Sequence, residues 1–170
     1  MSPRYGNPEY AFWQEVIEGL APRMAAAGFK RRHATWYRYN RQVLQLVDVR
    51  LGDRNLGLRL GLVVRRLDRS THPSYDDCHI GAGIQWLLPR RDELEFDAAR
   101  NLCASHRSAA ITTSAFWSCI RHHAVPILDS TKTLAGIRAL LASRLAGRFW
   151  FDKALTKIVL LRDGRSVGEN

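Results

Sequence analysis

Between Gly28 and Arg41 the chain places five cations, Lys30, Arg31, Arg32, Arg38 and Arg41, around the aromatic pair Trp36 and Tyr37. Cationic groups beside flat aromatic rings are the chemistry of anion recognition. A guanidinium offers a planar fork of donors to a carboxylate or phosphate, and a ring offers a face on which a base or another guanidinium can stack. Arg59 adds a further cation within reach of a neighbouring strand. Lys30, Arg31, Arg32, Trp36, Arg38, Arg41 and Arg59 are therefore read as partner-binding residues. Aromatic residues in strands more often belong to a core, so Trp36 carries that second reading as well.

Other reactive residues fail on spacing. Cys119-x-x-His122-His123 resembles a ligand cluster, and Cys119 and His123 share one face of a helix at i, i+4. A structural zinc site needs four ligands in paired spacing, and the chain has no C-x-x-C or H-x-x-x-H pair. Cys103 and His106 stand apart. Cys78 and His79 are adjacent, so a strand points them to opposite faces. There is no Gly-x-Ser-x-Gly turn to expose a nucleophile. Gly81-x-Gly83 lacks the helix that a phosphate loop requires. Asp76-Asp77 and Asp92-Glu93-x-Glu95 read as solvated surface. Asp48 differs, because it lies inside an apolar strand and must find a partner there. Arg38 or Arg59 on adjoining strands would supply one, and a cross-strand ion pair is favoured over catalysis. These readings predict no enzyme activity, no metal and no cofactor.

The charge balance agrees with an anionic partner. The 170 residues carry a formal net charge of +10, with a pI near 10.3. Residues 1–50 hold 8 Lys/Arg against 4 Asp/Glu, residues 51–100 hold 8 against 8, and residues 101–170 hold 10 against 4. The excess thus lies in the two end portions. Such a protein favours nucleic acid, an anionic membrane face or an acidic protein. No apolar run reaches the ~20 residues of a membrane span. Residues 1–10 are polar with two prolines, unlike a signal peptide. Three widely spaced cysteines suit a reducing cytoplasm better than a disulfide framework.

The elements that must position these residues follow from periodicity. Asn7-Pro8 reads as an N-cap and first helical residue, and Phe12, Trp13, Val16, Ile17, Leu20 and Met24 form one apolar face. Pro22 should kink that helix or split off its last turn, and Gly28 should end it. Residues 29–39 read as one strand. Asn40-Arg41 is a turn, residues 42–51 a central strand, and residues 52–55 a second turn. Strict alternation from Leu56 to Val64 makes the clearest strand, with Gly57 and Gly61 on one face leaving room for close packing. Residues 68–77 form a polar loop. Ile80, Ala82, Ile84, Trp86 and Leu88 suggest a fourth strand that stops at Pro89. Residues 90–106 read as a charged helical or irregular connection. A helix bearing Ala115, Phe116, Cys119, Ile120 and His123 should end at Pro126. Ser130 or Thr131 should cap the next, whose face is Leu134, Ile137, Leu141 and Leu145 and which Gly147 should close. Residues 151–161 are helix or strand, and 162–170 are expected to be disordered.

From Leu20 to Leu62 the chain resembles the bacterial domain-of-unknown-function family 4304. The matching features are Leu20-x-Pro22, Gly28-Phe29-Lys30-Arg31, Thr35-Trp36-Tyr37-Arg38, Val47-Asp48-Val49 and Leu58-x-Leu60-Gly61-Leu62. A looser match runs from Val125-Pro126-Ile127-Leu128-Asp129 into the following helix. Arg50 and Leu51 stand where members often carry Gln and Ser, a departure from the pattern. The resemblance implies a small bacterial protein of the kind that in some cases accompanies toxin genes, and it brings no established activity with it.

The expected architecture is a single α+β domain with its core over residues 7–161. An N-terminal helix precedes a four-stranded antiparallel meander, and C-terminal helices pack on one face. The expected function is a cytoplasmic, non-enzymatic binding module that occludes an acidic protein partner, as an immunity protein neutralises a toxin. The alternative is a nucleic-acid-binding domain that uses the basic aromatic hairpin.

Overall fold

Asn7 starts the first helix. In the computed structural model, which describes residues 7–103 and 108–155, its side chain accepts the Glu9 N–H at 2.8 Å and Pro8 opens α1 (Pro8–Ala26). Phe12, Val16, Ile17, Leu20 and Met24 form the buried stripe. The helix continues through Pro22 to Ala26, so its last turn is not split off. Pro22 and Glu18 both lie on the exposed side, where solvent can satisfy the carbonyl that loses its donor. Gly28, at φ 84, closes the helix: its N–H reaches the Ala25 carbonyl and the Phe29 N–H reaches that of Met24, both at 3.0 Å. This paired arrangement needs a left-handed residue at Gly28.

The sheet has six antiparallel strands in chain order rather than four. They are β1 (Lys30–Arg32), β2 (Thr35–Tyr39), β3 (Val43–Leu51), β4 (Leu56–Val64), β5 (Ile80–Gly83) and β6 (Trp150–Phe151). The strand expected over 29–39 is a hairpin, because His33 adopts φ 55 and reverses the chain, so that Arg32 pairs with Thr35. The strand expected over 80–88 stops at Gly83. Ile84–Leu87 form a 3₁₀ turn that still buries Ile84 and Leu87, which is why the sequence pattern outlasts the strand. Tertiary pairing with β5 draws Trp150 and Phe151 into the sheet.

The helical layer comprises α2 (Arg90–Arg100), α3 (Ala109–Cys119), α4 (Val125–Ser130) and α5 (Leu134–Ala142). Pro126 does not end the helix before it. Ile120–Ala124 widen into a π turn in which the Val125 N–H donates to the Ile120 carbonyl, and Pro126 falls in the first turn of α4, where a missing donor costs least. Thr133 caps α5 in place of Ser130 or Thr131, accepting the Gly136 N–H at 3.1 Å. The Thr131 hydroxyl instead donates back to the Ile127 carbonyl. Helix α5 ends at Ala142, before the expected stop at Gly147. The expectations for 156–161 and 162–170, and His106, lie outside the described residues. Among the described residues no helix is long and apolar enough to cross a membrane.

Strand alternation gives the sheet two unlike faces. Trp36, Val47, Leu60 and Ala82 are register partners on the helix-covered face and join the main core with the α1 stripe. Each fully buried leucine of β4 stabilises the fold by about 2 kcal/mol. On the other face Tyr37, Leu44, Leu46, Val63 and Cys78 make a second, smaller core under the 65–79 connection. The Tyr37 hydroxyl donates to the Pro73 carbonyl at 3.0 Å and that of Tyr39 to Thr71 at 2.7 Å, strapping the connection down.

Candidate binding face

The connection covers only part of the second face. At its edge, where Tyr75 lies against Arg59, the residues Arg32, Thr35, Asp48, Arg59 and Gly83 form one row of register partners across β1 to β5. Asp48 sits in the middle of the row. The Thr35 hydroxyl donates to its Oδ1 at 2.9 Å, and Arg59 Nε donates to its Oδ2 at 2.9 Å. Asp48 therefore has the partner an acid in an apolar strand requires, and the partner is Arg59 rather than Arg38. Arg59 lies over the Tyr75 ring at 4.0 Å and is 4.0 Å from Asp76. Trp150 extends the wall: its Nε1 donates to the Tyr75 hydroxyl at 3.1 Å, and its ring meets that of Tyr75 edge-on. Burial pushes the Tyr75 phenol upward, so it stays protonated at neutral pH.

Small residues shape this face in two ways. A Cβ on Gly81 would lie 2.5 Å from Trp150 Cε2, so the indole can lie flat on the strand only because position 81 has no side chain. Gly57, beside Arg50, leaves space above β4, the nearest atom to an added Cβ being Arg50 Cβ at 3.7 Å. Lys30, Arg32 and Arg50 point to this side and are exposed. Four cations (Lys30, Arg32, Arg50, Arg59) thus surround two carboxylates, Asp48 and Asp76, both of which are directed at Arg59.

The seven residues singled out from the sequence are dispersed. Lys30, Arg32 and Arg59 share the open face. Arg31 points the other way and pairs with Glu18 of α1 at 3.0 Å. Trp36 is only 1% exposed and belongs to the main core, which removes it from any outward set. Arg38, on the same covered face, donates to Gln45 Oε1 at 2.8 Å, meets Asp129 of α4 at 2.9 Å and lies over Phe29. It ties the helical layer to the sheet through Gln45, whose amide donates to the Leu128 carbonyl. Arg41 lies at the far end of the sheet, in a separate depression. Even spacing along the hairpin alternates these cations between the two faces, so they cannot act as one patch.

Sequence reasoning missed Arg50, Tyr75 and Trp150. Arg50 follows Asp48 by two residues, and that period was a usable signal. Nothing local marks Tyr75 or Trp150, which reach the face through tertiary packing.

Of the remaining reactive groups, Cys103 and His122 are exposed and the others are occupied or buried. His123 Nε2 is 2.9 Å from Asp92 Oδ2. Burial pushes the Cys119 thiol up to about 11 and raises that of Cys78 as well, so neither is a ready thiolate. His79 Nδ1 accepts the Val64 N–H at 3.0 Å, ending β4 where the connection returns. Among the described residues no group of three His, Cys, Asp or Glu could hold a metal ion.

No protein-family model, curated protein or solved structure matches this chain.

Proposed function

We propose that this chain is a non-enzymatic binding module that docks an acidic protein on the open sheet face and works by occlusion, as an immunity or neutralising protein does. The observation that carries the reading is the polar row across β1 to β5, with Arg32 and Arg59 in line and Lys30 and Arg50 beside it. Arg59 is held by Asp48 and Tyr75, so little side-chain entropy remains to be lost when it meets a carboxylate. Trp150, 40% exposed, and Tyr75 supply the aromatic contacts that dominate protein interfaces alongside arginine. Three free thiols suit the reducing cytoplasm in which such a protein acts.

Nucleic acid remains the rival partner on charge alone. Its stacking platform is reduced, because Trp36 is in the core and Tyr37 is buried, which leaves Tyr39 as the exposed ring of the hairpin.

A photo-crosslinking residue at position 30, exposed on the same face as Arg32 and expressed in the native host, tests the choice. Capture of an acidic protein, lost in an R32E/R50E variant that melts like the parent, supports the proposal. Capture of nucleic acid, with binding that falls steeply as salt rises, replaces it with the rival.

A further inference from the structure

The end of the sheet opposite the polar row carries a second concentration of charge. The β2–β3 turn, the end of β4 and the start of α5 meet there around a depression of about 470 Å³ lined by Arg41, Gln42, Arg65, Arg66, Arg69 and Leu134. Four of these six lining residues are arginine and none is acidic. The backbone holds the ring together. The Arg65 N–H donates to the Gln42 carbonyl at 2.9 Å, joining β3 to β4, and Gln42 Oε1 accepts the Leu134 N–H at 2.9 Å, joining the turn to α5. That bond orients the Gln42 amide. The Arg65 guanidinium donates to the Ser70 carbonyl at 2.5 Å and the Arg69 carbonyl at 3.3 Å, folding residues 65–70 into a collar that presents Arg66 and Arg69. The one acid of that collar, Asp68, is engaged by the Ser70 N–H at 2.7 Å.

Four like charges around one hollow repel one another, and an anion seated among them relieves the repulsion. A carboxylate brings one charge and two oxygens. A phosphomonoester brings nearly two charges and three terminal oxygens, a better match for several guanidinium forks. The hollow also has the size of a small-molecule site rather than of a groove.

We propose that this depression binds the phosphoryl group of a small phosphomonoester. The site is independent of the open sheet face, and neither proposal depends on the other.

Titration calorimetry with inorganic phosphate, O-phosphoserine and acetate at matched ionic strength tests it. The expected result is saturable one-to-one binding of phosphate and phosphoserine, about tenfold or more tighter than acetate. An R66A/R69A variant should weaken that binding by about tenfold or more. Both side chains are exposed, so the variant should melt like the parent. An R32A/R50A variant should bind phosphoserine unchanged. Equal affinity for acetate and phosphate, or full affinity in R66A/R69A, overturns the proposal. So does binding confined to a DNA duplex with none to phosphoserine, because the hollow would then serve a polymer backbone. Loss of the crosslinked partner in R32E/R50E with phosphate binding intact separates the two sites.

Discussion

Asp48 and Arg59 face each other across β3 and β4, joined through Arg59 Nε and Asp48 Oδ2 at 2.9 Å, with side chains 13% and 21% exposed. Water reaches this pair poorly, so removing one partner strands the other. Asp48→Ala should cost about 2 kcal/mol in urea unfolding. The double variant D48A/R59M should recover at least half of that loss. Equal loss in the single and double variants would show that the pair contributes through packing alone.

Cys78 packs where Gly61 has no side chain. A Cβ at position 61 would collide with Cys78 Sγ and lie 2.9 Å from Leu46 Cδ1. Gly61→Ala should destabilise by about 2 kcal/mol, the usual cost of overpacking. Adding Cys78→Ala should restore part of it. A G61A protein that melts like the parent would mean that the 65–79 connection is not seated on the sheet as described.

His79 makes stability depend on acid. Burial lowers its pKa below the ordinary 6.5, and the neutral ring is the form that accepts the Val64 N–H. The unfolded chain then binds the proton more readily than the folded one. The stabilisation from the neutral ring is complete above about pH 6.5 and is lost as pH falls toward the lowered folded value. Chemical unfolding from pH 8 to 5 should show this decline in the parent. The His79→Asn variant should lack that component of the slope, and an unchanged slope would assign the decline to other groups.

His33 occupies a position that favours glycine. Its φ of 55 lies in the left-handed region, where a Cβ crowds the backbone. His33→Gly should stabilise the protein by about 0.5 kcal/mol, the relief being partly offset by the greater freedom of glycine in the unfolded chain. His33→Val should destabilise it. Thermal melts of the three proteins give the order.

Much of the secondary structure could be read from local pattern. The α1 stripe, Asn7 and Gly28 at its ends, the turn after Tyr39 and the alternation of β4 are all short-range signals, and each is present in the structure. Misreadings arose where a local signal had a tertiary answer. Pro126 reads as a stop, yet a π turn absorbs it. Residues 80–88 alternate like a strand, yet Ile84–Leu87 curl into a 3₁₀ turn that buries two of them. The basic hairpin reads as one patch, yet alternation turns Arg31 and Arg38 to the helix side, where each meets a helix carboxylate, and leaves Lys30 and Arg32 on the open face.

Composition and periodicity alone established a basic α+β chain: a capped amphipathic helix, antiparallel strands joined by short turns, and an acid at position 48 in need of a cation. These depend on residues a few positions apart, and backbone geometry converts that spacing directly into helix or strand. Which cations remain free was decided by the tertiary structure. Glu18 and Asp129 reach Arg31 and Arg38 from distant helices, while the loop that brings Tyr75 to Arg59 also gathers Arg65, Arg66 and Arg69 beside Arg41. Coulombic and stacking contacts depend on distance through space, and the folded path alone fixes that distance.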